Sequence, residues 1–191
     1  MSALTPFSLI PFEPLPPKTT LTVTGTLSRE KDVLSVSYVM TGDLSAIALP
    51  PQTGSTTGTR NPRKDRLWEQ TCFEFFLAAG REKSDQDAYW EFNLSPDGSW
   101  NVFALSGYRA GLKEEKAFHE LPFSVSHRTD ELRIDISVDV SKLLPAGMPW
   151  QLGVSTVGVL ADGTETFWAI AHPTPTADFH SAGSFACQLF P

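Results

Sequence analysis

Tyr89-Trp90-Glu91-Phe92-Asn93-Leu94, followed by Ser95-Pro96-Asp97-Gly98 and resumed at Ser99-Trp100, decides the fold. Successive side chains of a strand point to opposite faces, so Trp90, Phe92 and Leu94 share one face and Tyr89, Glu91, Asn93 and Ser95 the other. One face asks for a core and the other can hold polar chemistry. Pro-Asp-Gly is a tight-turn sequence, which predicts a hairpin between strands at about 88–95 and 99–106. Just upstream, Leu67-Trp68-Glu69-Gln70-Thr71-Cys72-Phe73-Glu74-Phe75-Phe76-Leu77 reads as another strand, with Glu74 on the parity opposite its bulky neighbours.

Working outward, Leu21, Val23 and Leu27 alternate with threonines, and Leu34 to Met40 gives a second strand of the same kind. Thr41 to Arg66 carries Gly42, Pro50, Pro51, Gly54, Gly58 and Pro62 without a period, which marks a long connection. Leu132, Ile134, Ile136 and Val138 alternate with polar residues and pair with Phe123–His127 through Arg128-Thr129-Asp130. Gln151–Leu160, Thr166–Ala171 and Ser184–Phe190 complete the strands, with Ala161-Asp162-Gly163-Thr164 as a turn. Gly111–Glu120 is assigned to a loop and Val140–Leu144 to one short helix. The expectation is a single all-β domain over residues 1–191, a two-sheet antiparallel, jelly-roll-like β-sandwich of about ten strands.

Composition narrows the function classes. The 22 acidic and 15 basic residues leave a net charge of −7, which argues against nucleic acid as the partner. The basic run Arg60, Arg63, Lys64 and Arg66 is expected to be a solvated loop, or else a mobile rim beside an anionic or polyhydroxyl ligand. No apolar run approaches the length of a membrane span. The N-terminus has no basic region ahead of an apolar stretch, and Cys72 and Cys187 are few and far apart, so a cytoplasmic protein with free thiols is expected. Sheet edges leave a homodimer open.

Quoted together, Arg63–Phe76, Tyr89–Trp100, Tyr108-Arg109-Ala110-Gly111, Phe167–Pro173 and Asp178-Phe179-His180 resemble the DOMON-like superfamily, in particular bacterial proteins related to the family-nine carbohydrate-binding modules. The resemblance implies a β-sandwich whose members bind sugars or haem. In the sugar binders, aromatic rings stack on the sugar while polar side chains reach its hydroxyls. In the haem binders, a Met and a His hold the iron, for which this chain offers Met40 or Met148 with a histidine such as His172 or His180.

The expected site is therefore a ligand surface for a carbohydrate or similar polyol, without catalysis and without a cofactor. Trp68 and Trp168 supply stacking area, Glu74, Glu91 and Asn93 engage hydroxyls, and Arg109 orients the carboxylates, with His172 from the following loop. Arg109 has a second expectation, an internal salt bridge to Glu74 or Glu91. The remaining alternative is a glycoside-processing enzyme, because Glu74 and Glu91 on adjacent strands approach the separation of about 5–5.5 Å used by retaining glycosidases. Glutamates on a half-exposed sheet are, however, ordinarily solvated. His-x7-His is no usual zinc spacing, so no metal is expected. No Gly-rich phosphate loop or Gly-x-Ser-x-Gly elbow is present.

Overall fold

Leu21, Val23 and Leu27 can leave water together only if a second apolar surface covers them, and the chain supplies it by folding its sheet over on itself. The computed structural model describes residues 3–51 and 62–191. Among these residues twelve antiparallel strands form one hydrogen-bonded sheet: β1 (Thr5–Pro11), β2 (Leu21–Glu30), β3 (Val33–Gly42), β4 (Cys72–Ala79), β5 (Tyr89–Leu94), β6 (Trp100–Leu105), β7 (Lys113–Glu114), β8 (Phe123–His127), β9 (Glu131–Asp139), β10 (Trp150–Val159), β11 (Glu165–Ala169) and β12 (Cys187–Leu189). The order is β7-β6-β5-β4-β10-β11-β1-β2-β3-β9-β8, with β12 beside β10.

β1 joins the two halves. Its Thr5–Leu9 segment pairs with β2, whereas Ile10 and Pro11 pair with β11. The all-β, antiparallel expectation holds, but the two-sheet sandwich of about ten strands becomes, among the described residues, twelve strands in one connected sheet, eleven along a continuous path and β12 beside β10. β1 and the two-residue β7 are the additions. Pro6 and Pro11 had disguised β1, where proline is tolerated close to a strand's ends.

The inner faces of both halves meet in one core. Val23, Leu34, Ile134, Phe75, Phe92 and Leu152 all belong to it. Tyr38 on β3 is fully buried there, edge-on to Phe7 and Phe73 with ring centroids 5.5 and 5.3 Å away. Its hydroxyl donates to the Glu74 carbonyl across the core at 2.6 Å. Gly25 makes room for this cluster, since a Cβ there would sit 2.4 Å from the Phe7 ring.

The three expected hairpins are present: β5–β6 around Gly98 (φ 88°), β8–β9, and β10–β11 around Gly163 (φ 87°). Three local expectations are corrected. Leu67–Glu69 is a 3-10 turn and not the start of a strand, because Arg66 enters it in the left-handed region (φ 57°). Val140–Leu144 makes only one turn, with the Leu143 and Leu144 amides both donating to the Val140 carbonyl, and Pro145 ends it. Ser184–Phe190 contributes strand only at Cys187–Leu189.

In the basic run Lys64 and Arg66 are exposed, as expected of a solvated loop, and Arg63 is the exception. Arg63 donates to the carbonyls of Glu115 and Phe118 at 3.0 and 2.7 Å and lies over the Trp100 ring, while Lys64 pairs with Asp97 and Arg66 with Glu69. Arg63 thereby ties its loop to β6 and to the segment at Glu115–Phe118. Arg60 lies outside the described residues. Both cysteines are free, Cys72 buried and Cys187 half-buried, and no helix among the described residues is long and apolar enough to cross a membrane.

Tyr38→Phe removes the hydroxyl that ties β3 to β4 and leaves a buried carbonyl short of a partner. Chemical denaturation should show a loss of about 1–2 kcal/mol, and an unchanged midpoint would contradict this role.

Candidate functional site

β4, β5, β6 and β10 are buried on both faces, so their outward-pointing residues need a second cover. Phe76, Tyr89, Phe103 and Val157 form a smaller apolar cluster there, closed by Phe179 and Phe185 from the segment after β11. Between sheet and cover remains a cavity of about 370 Å³. Its wall includes Glu74, Glu91 and Val157 from the sheet, Trp68 from the 3-10 turn, Arg109 and Leu112 from the loop after β6, and Phe167, Phe179 and His180 from the C-terminal side.

The carboxyl pair follows from strand register. Glu74 lies opposite Asn93 and opposite Ser155, which places Glu74, Glu91 and Asn93 on one face as the alternation requires. They are not solvated: Glu74 is 3 % exposed, Glu91 5 % and Asn93 fully buried, which corrects the half-exposed reading. Asn93 Nδ2 donates to Glu91 Oε1 at 2.8 Å, so Asn93 orients Glu91 from beneath the wall. Ser155 Oγ donates to Glu74 Oε2 at 3.4 Å, and Glu74 Oε1 is buried without a hydrogen-bond partner among the described residues.

Burial pushes the Glu74 carboxyl well above the usual range, and the neighbouring Glu91 pushes it further. Burial raises Glu91 as well, but the Asn93 amide and the positive Arg109 work against that rise. The pair thus holds one proton more readily than two charges.

Arg109 does not bridge the glutamates. Its Nη2 pairs with Asp178 Oδ1 at 3.0 Å, and the Tyr108 hydroxyl donates to Asp178 Oδ2 at 2.6 Å. The His180 amide also donates to Asp178, at 3.1 Å. Burial works to raise Asp178, yet these three donors outweigh it and keep the carboxylate below its ordinary value. The Tyr89 hydroxyl accepts from the Arg109 amide at 3.4 Å and lies 2.7 Å from His180 Nδ1, so its proton is directed to that nitrogen. Burial, then the charge of Arg109, pull the His180 pKa down to about 4, leaving a neutral imidazole.

Of the residues expected from sequence, Trp68, Glu74, Glu91 and Arg109 meet at the cavity, with Asn93 directly behind. Trp168 and His172 do not. Trp168 is 2 % exposed and belongs to the inner core, its Nε1 donating to Thr166, because its register partner Thr156 points inward. Its neighbour Phe167 takes the outward place. His172 Nε2 donates to the Ile10 carbonyl at 2.8 Å and its ring meets Phe12 edge-on, away from the cavity. Met40 is sealed in the inner core while His180 borders the cavity on the other face of β4, so the structure does not bring that haem-ligand pair together. Met148 is partly exposed, with its carbonyl accepting from Arg29. Among the described residues no cluster of three His, Cys, Asp or Glu side chains could hold a metal ion.

No family model matches the chain, and no curated protein does. Solved structures share its fold. A protein from Bacteroides uniformis to which carbohydrate binding is ascribed superposes with a TM-score of 0.66 at 12% identity, over 95% of this chain and 83% of that one. A family-nine carbohydrate-binding module from Caldicellulosiruptor kristjanssonii in complex with cellotriose gives 0.53 at 12% identity, over 83% and 69%. Another structure of a family-nine module from that organism, with glucose, gives 0.53 at 10% identity, over 91% and 78%.

Two titrations follow. In the unfolded chain Glu74 ionises near 4.5, whereas the folded protein holds its proton to higher pH, so this group's contribution to stability falls as pH rises above 4.5. Glu74→Gln removes that penalty: its melting temperature should exceed the parent's at pH 8, by a margin that shrinks toward pH 5. An equal margin at both pH values would refute the linkage. By NMR, His180 should remain neutral down to about pH 4, against 6.5 for an unperturbed imidazole.

Proposed function

We propose that the protein is a non-catalytic receptor that holds a sugar or similar polyol in the cavity on the outer face of β4, β5 and β10. The observation carrying this reading is the meeting of Trp68 and the Glu74–Glu91 pair around one space of about 370 Å³. Ligand pockets are of this order of size and combine apolar walls with a few placed polar groups. The shared fold with carbohydrate-binding modules adds support of a general kind.

Each residue then has a defined task. Trp68, braced edge-on by Phe103 at 5.6 Å, offers a ring to the apolar face of a sugar. Glu91, its orientation set by Asn93, accepts from hydroxyls; Glu74, while protonated, donates to one. Arg109 keeps one flank of the opening in place through Asp178 and presents its remaining N–H groups.

A second reading has one specific observation in its favour. A protonated Glu74 beside Glu91 is an acid next to a base, the pairing that glycoside hydrolysis employs. Turnover of aryl glycosides that disappears in Glu74→Gln would establish it over the receptor reading.

Calorimetric titration against a panel of mono- and disaccharides tests the receptor. Trp68→Ala should weaken any bound sugar about tenfold or more, in line with roughly 1–3 kcal/mol for a lost stacking ring. Unchanged affinity in Trp68→Ala would remove this tryptophan from the site, and a panel without binding would remove the receptor role.

A further inference from the structure

The charge balance around the cavity is one-sided. Glu74 and Glu91 both border it, and the single cation among its described lining residues, Arg109, is already paired with Asp178. His180 carries no charge at neutral pH. The other ionisable groups packed nearby do not reverse this balance. Tyr89 and Tyr108 sit in the Asp178–His180 network, Cys72 lies beside Glu74 on β4, and Lys83 rests on the Tyr89 and Phe185 rings at 4.6 Å from each centroid. Tyr38 approaches Glu74 only through its backbone carbonyl, from the inner side.

We infer that the ligand carries a primary amine, an amino sugar or aminated polyol, whose ammonium group lodges between the carboxyl groups of Glu74 and Glu91. This rests on the sugar-receptor reading and names its ligand class. An ammonium has three donors, and the site has matching acceptors: Glu74 Oε1, buried and without a partner, and the Glu91 carboxylate, which Asn93 engages through only one oxygen. Trp68, Phe167 and Phe179 line the same space, and aromatic faces attract a cation as well as the apolar face of a sugar. An anionic sugar, by contrast, would bring its carboxylate or phosphate against two acids without a free cation to meet it.

Proton accounting follows from the same geometry. An ammonium between the two carboxyl groups favours their charged forms, so a proton that the pair shares in the empty protein leaves to solvent. No bond of the ligand breaks. Binding of an aminated ligand therefore releases protons from the pair, whereas a neutral sugar leaves the pair's protonation as it is.

The test is calorimetric titration of the full chain at pH 7 in two buffers of different ionisation enthalpy. The probes are glucosamine, galactosamine and mannosamine, each beside its neutral parent hexose, with N-acetylglucosamine and glucuronate as controls. At least one amino sugar should bind about tenfold or more tighter than its parent, with proton release. N-acetylation should remove the gain, and glucuronate should not compete. Glu74→Gln, checked for folding by circular dichroism, should lose both the proton release and the preference for the amine. If parent hexoses bind as tightly as all three amino sugars, the inference falls and the receptor survives. If no sugar binds, both fall. A preference retained in Glu74→Gln would also overturn the assignment.

Discussion

The Asp178 carboxylate holds the outer face and its cover together. It takes the Tyr108 hydroxyl, the Arg109 guanidinium and the His180 amide, and so fastens the segment after β11 to the turn after β6. That fastening converts the outer face of β4, β5 and β10 from an open sheet surface into the floor of a cavity. Arg109 accepts a left-handed backbone (φ 49°) to reach it, a conformation uncommon for a residue with a side chain. Ser184 Oγ donates to the Asp178 carbonyl at 2.7 Å, and Asp85 Oδ1 accepts from the Ala182 amide, so the cover is held at several points along its length. Loss of the Asp178 charge would release three donors at once.

The cover explains which parts of the fold were legible in the sequence. Period-2 alternation reveals which residues share a face, and it correctly grouped Glu74, Glu91 and Asn93. It does not reveal whether that face meets water. β10 is apolar or small at nearly every position because both its faces are buried, and β4 carries Phe73, Phe75, Phe76 and Leu77 for the same reason. That continuous burial was the available signal against a solvated outer face. Trp168 fails for a related cause: side-chain size says nothing about parity, and only the register of β11 on β10 turns Trp168 inward and Phe167 outward. Asp178, Tyr108 and Tyr89 come from three distant parts of the chain. Nothing local to any of them announces that they meet.

Basic residues illustrate a different limit. A run of cations in a Pro- and Gly-rich connection reads as solvated, yet Arg63 reaches two backbone carbonyls, the Asn101 side chain and the Trp100 ring. Arg29 does the same at the other end of the sheet, over Trp150 and against the Met148 carbonyl. A guanidinium presents five donors in a plane, so one side chain can satisfy several loop carbonyls and stack at the same time. The consequence is that loops without regular structure are still fixed to the sheet.

The two buried glutamates are a cost that the surrounding fold has to absorb. An apolar pair on the same face would extend the cluster of Phe76, Val157 and Phe103 without desolvating any carboxyl group, and such replacements are often neutral or stabilising. Instead the pair is kept, with Asn93 aimed at one member and Ser155 at the other, and with Glu74 Oε1 buried and unpartnered among the described residues. Internal ion pairing does not account for it, because the nearest guanidinium is committed to Asp178. Glu74 and Glu91 both border the cavity and not the inner core, so the cost of burying the pair is tied to that cavity.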